Sequence, residues 1–209
     1  MNKEQFIKEV EKLGIFLTEE QLDQLDRFYH LLIEWNKKIN LTRIIEENEV
    51  YAKHFYDSLT LIKAVDLRKN VTLLDVGSGA GFPGIVLKIV FPNLKITLVD
   101  SLLKRIKYLN IVIETLQLKN IEAIHTRIED YAKKKIQFDI VTSRAVANMT
   151  KLYNYCIPVV KNGGYFIAMK ANAEDELSEF LKKYDVNIKE IKFMLPYENA
   201  HRDLVVIKK

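Results

Sequence analysis

Apolar positions in the first third of the chain recur every three or four residues. Phe6, Val10 and Leu13 mark one face of a first helix, and Leu22, Leu25, Phe28, Leu32, Trp35 and Ile39 repeat the spacing in a second. Thr18-Glu19-Glu20-Gln21 sets the start of that second helix. A threonine hydroxyl there accepts the N–H three residues on, while the glutamine reaches back to the threonine amide. A third helix is predicted over about residues 48–65, with Val50, Phe55, Leu59 and Ile62 turned inward. Gly14 is the only glycine in this stretch, and residues 1–66 read as an N-terminal helical cap.

From residue 71 the rhythm changes. Short β-rich runs at 71–76, 95–99, 121–125, 138–142 and 165–169 alternate with helical patterns at 85–91, 102–116, 147–160 and 173–184. Strands separated by helices of that length pair in parallel through right-handed crossovers, with helices on both faces. Two more strands, 187–194 and 203–208, have no helix between them and predict an antiparallel hairpin at one edge. The fold class is therefore α/β: a doubly wound, mostly parallel, seven-stranded sheet. Residues 67–209 form this body and residues 1–66 the helical cap.

Composition narrows the setting. A single cysteine, Cys156, excludes an internal disulfide framework, and its apolar neighbours mark it as a small buried hydrophobe. No basic-then-apolar leader opens the chain and no run of 18 apolar residues occurs, so a soluble cytoplasmic protein is expected. Charge is uneven. Residues 1–66 carry 9 Lys/Arg against 13 Asp/Glu, whereas residues 67–209 carry 23 against 15. The basic body suits an anionic partner such as nucleic acid, although a solvated basic surface gives the same count. The four histidines and scattered acids show no metal-ligand spacing, and no metal is expected.

The chemistry concentrates in Leu73-Leu74-Asp75-Val76-Gly77-Ser78-Gly79-Ala80-Gly81-Phe82-Pro83-Gly84. Glycines at alternate positions after a buried strand permit a sharp turn and close backbone approach to a ligand. Pro83 suits the first turn of the helix that follows. Gly79 to Gly84 also satisfies the dinucleotide pattern G-x-G-x-x-G, so a nicotinamide cofactor and S-adenosylmethionine compete for the turn. Asp75 favours the second, because a carboxylate at the strand end repels a pyrophosphate but attracts a cationic methionyl group. Asp100, 19 residues past Gly81, can accept hydrogen bonds from both ribose hydroxyls, a feature that serves either cofactor.

Together these segments resemble the bacterial 16S ribosomal RNA guanine-N7 methyltransferase family, historically glucose-inhibited division protein B. The resemblance covers nearly the whole chain. Its markers are Trp35-Asn36-Lys37-Lys38-Ile39-Asn40-Leu41-Thr42, His54 with Asp57-Ser58-Leu59, and the Asp75–Gly84 turn. They continue with Leu98 to Arg105, Val141-Thr142-Ser143-Arg144-Ala145-Val146-Ala147, and Arg202-x-Leu204. The family implies a class I methyltransferase body of Rossmann-like form, binding S-adenosyl-L-methionine. It implies cofactor contacts from Gly77, Gly79, Gly81 and Phe82, a ribose contact from Asp100 beside Ser101, and an adenine contact from Ile128-Glu129. Arg144 would sit where cofactor and guanine meet, as an orienter. Lys104, Arg105, Lys107, Lys170 and Arg202 are the residues expected to meet RNA. The implied partner is 16S ribosomal RNA or a small-subunit ribonucleoprotein, the implied state a monomer, with no membrane association. Isoleucine at 128 departs from the family, which commonly has alanine before the glutamate.

Simpler roles stand beside these. Arg144 could pair with an acid at the strand end, Glu129 could be a surface charge, and Lys104, Arg105 and Lys107 could form a solvated helix face. Lys133-Lys134-Lys135 reads as a solvated loop. Guanine N7 has a free lone pair and loses no proton on methylation, so positioning and electrostatics suffice and no general base is expected. The chain also lacks the Asn/Asp-Pro-Pro-aromatic signature of exocyclic amino methylation. An NAD-dependent oxidoreductase and a non-catalytic RNA-binding protein remain as alternatives, separable by calorimetry with S-adenosylhomocysteine and NADH.

Overall fold

The computed structural model describes residues 1–144 and 148–209. The markers Ala145, Val146 and Ala147 fall outside the described residues. Seven strands form one sheet in the order β3-β2-β1-β4-β5-β7-β6. They are β1 (Thr72–Val76), β2 (Lys95–Asp100), β3 (Ile121–His125), β4 (Phe138–Arg144), β5 (Val160–Lys170), β6 (Ile188–Met194) and β7 (His201–Lys208). The first five pair in parallel, and β7 lies antiparallel to both β5 and β6. The edge hairpin is present, with β7 inserted between β5 and β6.

Alternation along the strands splits the core between the two faces. Leu73, Leu98 and Ile167 face one apolar cluster, while Leu74, Val99 and Phe166 face the other. β5 begins five residues before the expected start. Gly163 and Gly164 lie in that extension, where a side chain at Gly164 would sit 2.7 Å from the Asp139 carbonyl. Glycine thus lets β5 run close beside β4, where the register shifts between Phe138 and Ile140.

The N-terminal helices, α1 (Lys3–Lys12) and α2 (Glu19–Ile39), cover one face and share its core. The Thr18–Gln21 capping box forms as expected. Gln21 also reaches beyond its own helix. Its side-chain amide donates to the carbonyls of Ile89 and Val90, at the end of the Gly84–Val90 helix. Gln24 and Arg27 do the same for Leu116 and Thr115 at the end of the Leu103–Thr115 helix. Helix-end carbonyls with no intrahelical partner are thereby satisfied by α2, which locks the cap over two crossover helices.

The third helical stretch, residues 47–63, is not a regular α-helix. Tyr51–Tyr56 is π-helical and Thr60–Lys63 is a 3-10 turn. Widening the turn broadens the buried stripe beyond Val50, Phe55 and Leu59, and takes His54 and Asp57 inside as well.

Candidate active site

Parallel α/β sheets bind ligands at the carboxyl ends of strands where the strand order reverses. Here that point lies at β1, flanked by β2 and β4. Val76 pairs with Val99 on one side and with Ser143 on the other. The next residue of each strand is therefore Gly77, Asp100 or Arg144, level with one another across three adjacent strands. Three residues far apart in sequence are brought to one site by register alone.

The turn after β1 holds Gly77, Gly79 and Gly81 at φ of 73°, 57° and 96°. A side chain at Gly81 would lie 2.7 Å from Ile85, whereas one at Gly79 would meet nothing closer than 3.8 Å. Gly79 thus turns a bare backbone toward open space. Pro83 falls at the N-cap of the following helix, one residue earlier than its expected place within the first turn. Asp100 is buried; its Oδ2 accepts the Gly79 N–H at 3.0 Å and its Oδ1 the Leu102 N–H at 2.9 Å. The acid therefore fixes both the glycine turn and the start of the next helix.

Two cavities flank Asp100. One, of about 330 Å³, is lined by Gly77, Gly79, Phe82, Asp100, Ser101 and Arg105 among others. The second, of about 260 Å³, is lined by Gly77, Asp100, Ser101, Ile128, Glu129 and Tyr155, with Leu152 and other residues. These share Gly77, Asp100 and Ser101, so a ligand gripped there reaches both. The chemistry suits S-adenosylmethionine: an acid for a ribose diol, apolar walls for a purine and bare backbone beside them. Gly81 lines neither cavity and serves the turn itself.

Asp75 behaves differently from the expected ammonium-facing acid. It is fully buried beneath the turn, with Oδ2 accepting the Gly84 N–H at 3.0 Å and Oδ1 without a hydrogen-bond partner among the described residues. Burial pushes its carboxyl up to about 7. It lines neither cavity, because the side chain points at the helix that follows rather than along the strand.

Arg144, at the end of β4, pairs with an acid from the helical cap. Its Nη1 donates to Asp57 Oδ2 and to the Lys53 carbonyl, each at 3.1 Å. Arg202 occupies the other oxygen, Nε to Asp57 Oδ1 at 3.1 Å. His54 stacks on Phe82 with ring centroids 4.3 Å apart, and Arg144 lies 5.1 Å over the same ring. Arg144 Nη2 is 3.2 Å from His54 Nδ1. The Lys53 carbonyl lies 3.1 Å from the same Nδ1, and Nε2 is 3.0 Å from Thr42 Oγ1, so both ring nitrogens are engaged. Burial, then the Arg144 charge, lowers the His54 pKa well below its ordinary value, which keeps the ring neutral.

Thr42 is delivered by the end of α2. Asn40 terminates the helix in the left-handed conformation, and the Asn36 side chain accepts the N–H groups of Leu41 and Thr42. The Trp35–Thr42 motif is thus a helix stop that aims one hydroxyl at His54. Thr42, His54 and Asp57 had no role assigned from sequence, although His and Asp three residues apart in an apolar helical stretch signal buried polar groups with a function.

The residues expected to meet RNA divide. Lys104 and Lys107 are exposed on the Leu103–Thr115 helix. Arg105 instead pairs with Asp100 at 3.2 Å and lines the cavity of the glycine turn. Lys170 is bound to Glu176 at 2.8 Å and Arg202 to Asp57, and both line a third cavity of about 580 Å³. That cavity shares His54 and Arg144 with the glycine-turn cavity. These three cations are therefore built into the site, leaving Lys104 and Lys107 outside it.

The chain is similar to known proteins along most of its length. The Ribosomal RNA small subunit methyltransferase G of Lactobacillus helveticus is 50% identical over 100% of this chain and 91% of its own length. That of Staphylococcus saprophyticus is 46% identical over 94% of this chain and 85% of its own. Among solved structures, Aeropyrum pernix fibrillarin in complex with natively bound S-adenosyl-L-methionine shares the fold. Its TM-score is 0.56 at 13% identity, over 71% of this chain and 72% of that one. A family model described as rRNA small subunit methyltransferase G matches residues 21–205, and the chain belongs to that family.

Proposed function

We propose that the protein methylates N7 of a guanine in a loop of 16S ribosomal RNA, using S-adenosyl-L-methionine bound across the glycine turn and Asp100. The supporting observation is the level row of Gly77, Asp100 and Arg144, which puts a cofactor cradle directly against a second, larger cavity. The cofactor supplies a methyl group on a positively charged sulfur. Asp100 and the Gly77 backbone hold its ribose and methionyl portion, and Ile128, Leu152 and Tyr155 enclose its adenine. Arg144 and Phe82 border the place where the two ligands meet, and Asp57 and His54 keep Arg144 in position.

No residue has to take a proton, because N7 offers a lone pair. The neutral His54 at the site has both ring nitrogens engaged, by Arg144 and Thr42, which agrees with a positioning role. A paired A-form stem hides N7 in a deep groove, so the target guanine is unstacked or in a loop. Lys104 and Lys107 extend the positive surface beyond the site toward RNA phosphates. No helix among the described residues is long and apolar enough to cross a membrane. We place the protein in the cytoplasm with its RNA, acting as a monomer, since one chain supplies all the residues named. Mapping N7-methylguanine in ribosomal RNA from cells with and without the protein tests this reading, and an unchanged pattern would overturn it. Calorimetry separates the cofactors: tight S-adenosylhomocysteine binding is expected and tight NADH binding is not.

A further inference from the structure

The 580 Å³ cavity lies across Arg144 and His54 from the cofactor cradle. Its volume falls in the range of small-molecule sites, ample for an extruded base. Ile44 and Met169 give it apolar surface, and Asn172 and Glu176 bring polar side chains. Glu176 lines this cavity and not the cradle, so it stands on the side away from the methyl donor.

Its hydrogen bonds from Met149 and Lys170 both meet one oxygen of the carboxylate. Glu176 Oε2 accepts the Met149 N–H at 3.1 Å and the Lys170 ammonium at 2.8 Å. Those bonds fix the carboxylate, while among the described residues no donor is bound to Oε1. A guanine whose N7 points at the cradle carries its Watson–Crick edge on the adjoining side of the ring, outside the cradle, with N1–H and N2–H₂ as donors. Adenine has no donor at N1 and none at position 2. A held carboxylate is therefore a guanine reader.

We propose that this cavity takes the target guanine and that Glu176 accepts hydrogen bonds from its N1–H and N2–H₂, setting base specificity and stabilising the transition state. The proposal rests on the N7-methyltransferase reading. As the N7–carbon bond forms, the carbon–sulfur bond breaks with its electron pair left on sulfur, and no proton is released. Positive charge passes from sulfur to the purine, which makes N1–H more acidic. A carboxylate bonded there holds the base more strongly in the transition state than before it, so it contributes to kcat as well as to binding.

Single-turnover methylation of small-subunit RNA carrying either guanosine or inosine at the target position tests this. Inosine keeps N7, O6 and N1–H but lacks the 2-amino group. With the wild-type chain, inosine should lower kcat/KM by roughly tenfold to a hundredfold, the loss of one charge-assisted hydrogen bond. Glu176→Gln should slow guanosine methylation and shrink the guanosine-to-inosine ratio by at least about threefold, with S-adenosylhomocysteine affinity unchanged. Equal wild-type rates on both RNAs would overturn the assignment without any variant. So would a ratio that Glu176→Gln leaves intact, which would reduce Glu176 to a support for Met149 and Lys170. If the wild-type chain binds S-adenosylhomocysteine but methylates neither RNA at N7, the underlying reading fails and this proposal falls with it.

Discussion

Replacing Asp57 with asparagine probes the link between the N-terminal helices and the ends of the strands that carry Arg144 and Arg202. The side chain is 3% exposed and bonds two arginines, whose own side chains are 17% and 18% exposed. Asparagine removes the negative charge and presents an amide N–H₂ to one guanidinium, leaving two cations close together and uncompensated. Breaking a buried pair by removing one partner costs about 3–5 kcal/mol, and the partial exposure of both arginines puts this case near about 3. For a chain of this size that lowers Tm by roughly 6–12 °C. Methyl transfer should fall by at least about tenfold, because Arg144 loses the contact that fixes it. Arg202→Met removes one cation, so Asp57→Asn combined with Arg202→Met should cost about 1–2 kcal/mol less than the sum of the single changes. Differential scanning fluorimetry of the four proteins gives the cycle, and single-turnover assays give the rates. A Tm change under about 2 °C for Asp57→Asn, or additivity within about 0.5 kcal/mol, would refute the reasoning.

Asp100→Ala should weaken S-adenosylhomocysteine binding by about tenfold to a hundredfold in calorimetry. Gly77→Val, at a φ of 73°, should block it by strain and bulk while circular dichroism shows a folded chain. Charge reversal at Lys104 and Lys107 should reduce RNA affinity and flatten its salt dependence without touching cofactor affinity, whereas Arg105→Glu, beside Asp100, should damage cofactor binding. Single-turnover rates at saturating RNA and donor should vary little between about pH 6 and 9, because His54 stays neutral and N7 releases no proton; a steep bell shifted by mutating one carboxylate or histidine would refute this. Asp75, raised to about 7 by burial, binds its proton more tightly folded than unfolded. Its contribution to stability is full below the ordinary carboxylate range and is lost as pH rises toward 7, so Asp75→Asn should flatten the pH dependence of urea midpoints between about pH 4 and 7.

Much of this protein is written in local patterns. Helical spacing, the Thr18–Gln21 box, β-rich runs and alternate glycines depend on neighbours a few residues apart, so they are legible before any fold is known. The α/β class, seven strands, edge hairpin and glycine turn followed from such signals, and family motifs extended them to a named resemblance. Other features depend on partners distant in the chain and emerge only on folding. Gln21 reads locally as a capping residue, yet it also binds carbonyls 68 and 69 residues away. Arg105 reads as one more cation on a basic helix until folding sets it beside Asp100. Asp75 reads as a ligand-facing acid because its residue type and place are visible, but side-chain direction is set by packing against the Gly84–Val90 helix. Residues 48–65 carry an ordinary helical period, and only the fold shows a π-helical turn there, with Asp57 meeting Arg144 and Arg202 from strands far along the chain.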